Sequence, residues 1–247
     1  MKTGYYRFAG HTAELRSLHE AVHRLCADYA IPPQTAEIVI QICDTDVDHE
    51  RAVYEQTYLY APAQPEAELE CLAVYRKLVR ALLQYDVLLF HGSAVAVDGE
   101  AYLFIAPSGT GKSTHTRLWR ELLGNRAVMV NDDKPLVHIS ESGVTIYGTP
   151  WDGKHHLSMN IAVPLRAVCV LERAEENRIA LASPVQAFSS LLRQSYRYES
   201  EAEEQRALSL LDLLTQQVGL FRLGCNMNPA AAETAWRAMS DARKTNV

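Results

Sequence analysis

The chain has 247 residues, a formal net charge of −6 and 48% hydrophobic residues. That length suits one large α/β domain, or a catalytic domain with a small extra lobe. Folding at this size buries roughly 70–75% of the extended chain's surface, so a sizeable core needs no covalent staples. The acidic balance, with no cluster of Lys and Arg, argues against nucleic acid as a partner. Five cysteines (Cys26, Cys43, Cys71, Cys169 and Cys225) form no C-x-x-C pair. Most of them read as small core residues, in a reduced compartment. Met1 to Arg7 has no apolar leader core, and no stretch approaches the ~18 apolar residues of a membrane span. The expectation is a soluble, cytoplasmic chain with no membrane partner.

Taken in order, Tyr5 to Ala9 reads as an edge strand. Thr12 is placed to cap a helix from Ala13 to Tyr29, with Leu15, Leu18, Val22 and Leu25 on one face. Ile31-Pro32-Pro33 ends it, and the β-branched run Glu37 to Ile42 reads as a strand. The polar segment from Asp44 to Pro65 is ambiguous, its Tyr54, Tyr58 and Tyr60 suiting another strand. Glu66 to Tyr85 has the apolar spacing of a helix, and the best domain boundary falls near residue 85. Val87 to Val97 and Glu100 to Ala106 are strand-like runs joined at Asp98-Gly99, a strong hairpin signal. A short strand at Val128-Met129-Val130, a hairpin around Glu141-Ser142-Gly143 and a strand from Ala167 to Leu171 follow. Helices are expected over Pro184 to Tyr196, Glu203 to Gln217 and Pro229 to Ala242. The acidic run Glu199 to Glu204 reads as a solvated helix start.

The chemistry-bearing stretch is Ala106-Pro107-Ser108-Gly109-Thr110-Gly111-Lys112-Ser113-Thr114. An apolar strand leads in and a helical pattern leads out, the layout of a phosphate-binding loop. The glycines let successive N–H groups face phosphate oxygens, and the helix N-terminus adds partial positive charge. Ser108, Gly109, Thr110, Gly111, Lys112, Ser113 and Thr114 are therefore the nucleotide-binding candidates. Lys112 would reach the β- and γ-phosphates and Ser113 would ligate Mg²⁺. The usual pattern begins with Gly, where this chain has Ala106.

Asp132 and Asp133 end the next strand, where α/β sheets place catalytic groups. Phosphoryl transfer to a hydroxyl needs one carboxylate for the metal and one for the proton. By the residues alone, which aspartate does which stays open. His91, in the hairpin strand before the loop, is placed beside it by strand pairing. The loop from Gly148 to Asn160 gathers Trp151, Lys154 and His155 as substrate contacts, and Arg197 lies on a later helical stretch.

These blocks in order, His91-Gly92, then Ser108 to Ser113, then Asp132-Asp133, resemble the kinase domain of HPr kinase/phosphorylase, related to ATP-dependent phosphoenolpyruvate carboxykinase. The resemblance covers residues 91–133. It implies an α/β fold with a mixed central sheet carrying the P-loop over residues 86–247; residues 1–85 read, by the order of their own elements, as a small α+β extension. It implies ATP and Mg²⁺ as cofactors. It further implies Asp132 as the base supported by His91, Ser113 and Asp133 on the metal, and Lys112 on the transferred phosphate. The acceptor would be a hydroxyl, that of serine in a peptide, a protein or a small molecule; a homo-oligomer is left open. The 1–85 region does not resemble the family's regulatory domain. The rival readings are a nucleotide hydrolase or switch, and a nucleotide-sensing module that phosphorylates nothing.

Overall fold

The structure is a computed structural model describing residues 1–57 and 62–241. The chain divides into two compact units, Met1–Gln84 and Tyr85–Val247. Among the described residues no helix is long and apolar enough to cross a membrane.

The first unit opens with a hairpin of β1 (Lys2–Phe8) and β2 (His11–Ser17), turned at Ala9-Gly10. Helix α1 (Ala21–Leu25) and a short 3-10 turn follow. Strand β3 (Ile38–Gln41) then pairs parallel with β2, and α2 (Asp44–Thr57) and α3 (Glu66–Leu83) complete the unit. The helix expected from Ala13 to Tyr29 is thus wrong in its first half. Ala13, Leu15 and Ser17 are buried in alternation, the period of a strand, because β1 and β3 flank them. The ambiguous Asp44–Pro65 segment is helical where described, and Tyr54 lies on α2. Tyr58 and Tyr60 lie outside the described residues.

Two acidic side chains are sealed inside this unit with partners. Glu50 meets Arg76 through Nε and Nη2 at 2.5 and 3.0 Å. Glu70, on α3 and fully buried, accepts the backbone N–H groups of Leu18 and His19.

The second unit is a mixed α/β fold around a nine-stranded sheet. In chain order it runs β4 (Val87–Leu89), β5 (Gly92–Val97), β6 (Glu100–Ile105), α4 (Lys112–Leu123), β7 (Ala127–Asn131), β8 (Leu136–Ser140) and β9 (Gly143–Tyr147). It continues through β10 (Ala162–Arg173), β11 (Arg178–Leu181), α5 (Pro184–Gln194), α6 (Glu201–Gln217), β12 (Gly219–Cys225) and α7 (Ala230–Asp241). The single strand expected over Val87 to Val97 is two: β4 pairs with β8, and β5 pairs with β6 and β7. Asp98-Gly99, both at positive φ (52° and 86°), closes the β5–β6 hairpin as its sequence predicts. Strands β11 and β12 have no counterpart in the sequence reading, and β10 is longer than expected.

Strand β10 is the hub. It pairs parallel with β6 and with β12, so the carboxyl ends of all three leave the sheet at one edge. Behind them, Trp119 of α4 packs against Tyr102, Phe104 and Trp236, with ring centroids 5.0, 5.2 and 5.5 Å away. This aromatic cluster locks α4 to β6, one on each side of the loop that joins them.

The sealed carboxylate of the first unit gives a direct expectation. Glu70→Gln sets an amide NH₂ against one of the two backbone N–H groups, costing about 1–3 kcal/mol. The readout is a lower urea midpoint by far-ultraviolet circular dichroism; an unchanged midpoint would show that the carboxylate does not hold that turn.

Candidate active site at the β6–α4 loop

The loop between β6 and α4 carries Gly109 at φ 75° and Gly111 at φ 122°, backbone that favours glycine. Ser108 and Gly109 are exposed, and Ser113 is exposed on the first turn of α4. Lys112 does the opposite. Its side chain folds back so that Nζ donates to Ala106 O at 2.9 Å, and it is 8% exposed. A cation so placed must find acceptors. Nζ has a second one in His91 Nε2, 3.2 Å away.

His91 sits at the break between β4 and β5, and backbone bonds hold it there. Phe90 N donates to Pro135 O, Gly92 N to Asp133 O, and His91 N to Gln194 O at 2.6 Å. The histidine is thereby clamped between the Asp133–Pro135 segment and the end of α5. Burial, and then the charge of Lys112, push its pKa down, with Asp133 opposing. A neutral ring whose Nε2 accepts from Lys112 fits both facts. Burial likewise lowers the pKa of Lys112, against the pull of Asp133 and Asp132.

The two aspartates have different surroundings. The β5–β7 pairing slips between Ala94 and Val95, leaving Val130 as a bulge that re-aims the end of β7. Asp132, 8% exposed, accepts from Ser93 Oγ at 2.5 Å, and Ser93 Oγ lies 2.8 Å from Thr116 Oγ1 on α4. Asp133 lies 3.6 Å from His91 Nε2 and pairs with Lys134 Nζ at 2.6 Å. Asn131 shapes the turn between strand and aspartates. Its Oδ1 accepts from the N–H groups of Asp133 and Lys134, and its Nδ2 donates to Thr149.

The 148–160 loop reaches this point through Gly153. A Cβ there would stand 2.8 Å from Asp132 O and 3.3 Å from its Oδ2, so only glycine lets the loop lie this close. Trp151 is buried, whereas Lys154 and His155 are exposed beyond Gly153. Arg197, expected on a helical stretch, lies past the end of α5 at Gln194; it is exposed and pairs with Glu204 at 3.2 Å. Lys112, His91, Asp132 and Asp133 are therefore one cluster. Ser93 and Thr116 join it although neither stands out in the sequence as chemistry, and the support expected of His91 for Asp132 is differently placed: His91 Nε2 lies 3.6 Å from Asp133, while Asp132 is held by Ser93. Among the described residues no group of three or more His, Cys, Asp and Glu is gathered as a metal site.

One turn into α4, His115 is 2% exposed and accepts from Trp119 Nε1 at 3.0 Å. Burial pushes its pKa down to about 4. Between pH 6.5 and about 4 the unfolded chain binds a proton here that the folded chain refuses. Stability therefore falls as pH drops through that window, by roughly 3 kcal/mol over its full span. His115→Gln keeps an acceptor for Trp119 but does not titrate. Its urea-unfolding free energy should lose about 2 kcal/mol less than the parent's between pH 7 and pH 5. Equal losses would show that His115 is charged in the folded protein.

Among solved structures, the Hpr(Ser) kinase/phosphatase from Coxiella burnetii matches at 12% identity and a TM-score of 0.34, over 62% of this chain and 95% of that one. No curated protein matches the chain. Residues 64–230, more than half of the length, match the family described as SynChlorMet cassette protein ScmC, and the chain belongs to that family.

Proposed function

We propose that the second unit is an ATP- and Mg²⁺-dependent kinase that moves the γ-phosphoryl group to a hydroxyl, that of serine in a peptide, a protein or a small molecule. The observation that carries this reading is the convergence on Lys112. Its ammonium lies beside the glycine loop, with His91 as acceptor and both aspartates pulling on its charge.

Each residue then has a task. The loop N–H groups from Ser108 to Ser113 bind the phosphates, and Lys112 stabilises charge on the group in transit. Ser113 and Asp133 supply hard oxygen donors, the kind that suits Mg²⁺ held by one or two carboxylates and by phosphates. When bound, the metal would neutralise charge on the β- and γ-phosphates. Ser93 fixes Asp132 through Oδ1, leaving Oδ2 under Gly153 to take the acceptor's proton. As that proton moves, the acceptor oxygen bonds phosphorus and the bond from the γ-phosphorus to ADP breaks. His91, neutral by burial, holds Lys112 without adding a second cation. Lys154, His155 and Arg197 are the exposed groups that would meet the acceptor, and Trp151 is buried within the loop that carries the first two.

The test starts with the acceptor: protein, ATP, Mg²⁺ and cell extract are combined and new phosphorylated species are sought by mass spectrometry. Lys112→Ala should abolish transfer and weaken nucleotide binding. Asp132→Asn should retain ATP affinity while transfer falls by about 10²–10⁴-fold. Full activity of Asp132→Asn would remove Asp132 as base, and rapid ATP hydrolysis indifferent to any acceptor would overturn the kinase reading.

A further inference from the structure

A cleft of ≈ 430 Å³ opens on the side of the loop away from the aspartates' hydrogen bonds to β5. Its floor is the Gly109-Thr110-Gly111 turn itself. One wall is α4, through Thr114 and Leu118; the other is the carboxyl ends of β10 and β12, through Leu171, Arg173, Cys225 and Met227. Thr114 apart, none of these side chains has a place in the nucleotide and phosphoryl-transfer chemistry above. The cleft exists because β6, β10 and β12 run parallel, so the segments leaving them flank one another at a single edge. Arg173 ties the edge to the loop, its Nη2 donating to Gly109 O.

We propose that this cleft takes the aromatic base and ribose of the nucleoside triphosphate whose phosphates the loop binds. The proposal rests on the nucleotide reading of the loop. Three observations carry it further. The volume falls within the ~300–1,000 Å³ of clefts that hold small organic ligands. The lining combines aliphatic side chains with the sulfurs of Cys225 and Met227, which pack well against an aromatic face. Continuity supplies the third: the floor and the first helical turn are shared with the phosphate site, so a ligand seated on the loop has its next atoms in this cleft.

His115 adds a polar feature. Its Nε2 accepts from Trp119, so the proton sits on Nδ1, and among the described residues no atom accepts it. His115 lines the cleft. A buried donor without a partner is costly, and base nitrogens and ribose oxygens are acceptors.

Cys225 makes the proposal measurable. The protein is treated with N-ethylmaleimide alone, with ATP, and with inorganic tripolyphosphate, and alkylation is mapped by peptide mass spectrometry. Exposed Cys43, in the other unit, serves as the reference for reagent access. ATP should slow alkylation of Cys225 at least fivefold relative to Cys43. Tripolyphosphate should compete with ATP in equilibrium dialysis yet leave Cys225 reactive. Photo-crosslinking with 8-azido-ATP should place adducts within residues 171–174 or 224–227. Equal protection by tripolyphosphate, or ATP binding that leaves Cys225 unprotected with adducts elsewhere, would overturn the base site while sparing the phosphate site. Failure of both ligands to bind in dialysis would overturn the two together.

Discussion

A lysine ammonium withdrawn from water has few ways to remain charged, and the second unit is arranged around that problem. Lys112 keeps only 8% of its surface exposed. Desolvating such a cation without partners costs far more than one hydrogen bond returns. The chain answers with a carbonyl at Ala106, an imidazole at His91 and the field of two aspartates. Each comes from a different segment, so the arrangement exists only if the strand order is right. β5 must lie antiparallel to β6 for His91 to stand by Ala106, and β7 must flank β5 for Asp132 to meet Ser93. The same burial keeps His91 from becoming a competing cation.

Rigidity on the other side of the loop has a separate origin. Trp119 wedges between Tyr102, Phe104 and Trp236, and His115 packs edge-on against Phe104 with ring centroids 4.7 Å apart. Helix α4 therefore cannot shift along β6 without breaking a dry aromatic cluster. Thr116 on the same helix contacts Ser93, which holds Asp132. The helix that carries Lys112 and Ser113 is in this way joined, through two hydroxyls, to the carboxylate across the site. In the first unit the comparable constraint is Glu70, whose buried carboxylate organises the turn after β2.

Much of the site was legible because its signals are local. A glycine loop between an apolar strand and a helix is dictated by backbone conformations that only certain residues adopt, and Gly109 and Gly111 at positive φ show it. Asp98-Gly99 is local in the same sense, since both residues must enter the left-handed region for the hairpin to twist correctly. Asp132 and Asp133 stood out because paired carboxylates at a strand end are chemically conspicuous. Ser93 and Thr116 did not, because a hydroxyl becomes significant only through what lies opposite it.

The errors share one cause. Leu15, Leu18, Val22 and Leu25 satisfy a helical spacing, yet Leu15 belongs to a strand, because β1 and β3 supply hydrogen bonds from both sides. Strand β12, with glycine at Gly219 and Gly224, has a weak local preference and is held by β10, whose matching residues lie some fifty positions earlier. Val87 to Val97 is one apolar run, but its two ends find different neighbours, and the break between them is where His91 is presented. The amino-acid order alone determined the loop, its hairpin, the acidic pair and the α/β class, since these rest on backbone sterics and on the reach of one or two turns. Tertiary structure decided which aspartate meets Ser93, that Lys112 shares His91, and that a cleft opens beside the loop. The first two depend on the antiparallel pairings of β5 with β6 and β7, and the cleft on the parallel pairings of β10 with β6 and β12, whose energy appears only once the sheet is assembled.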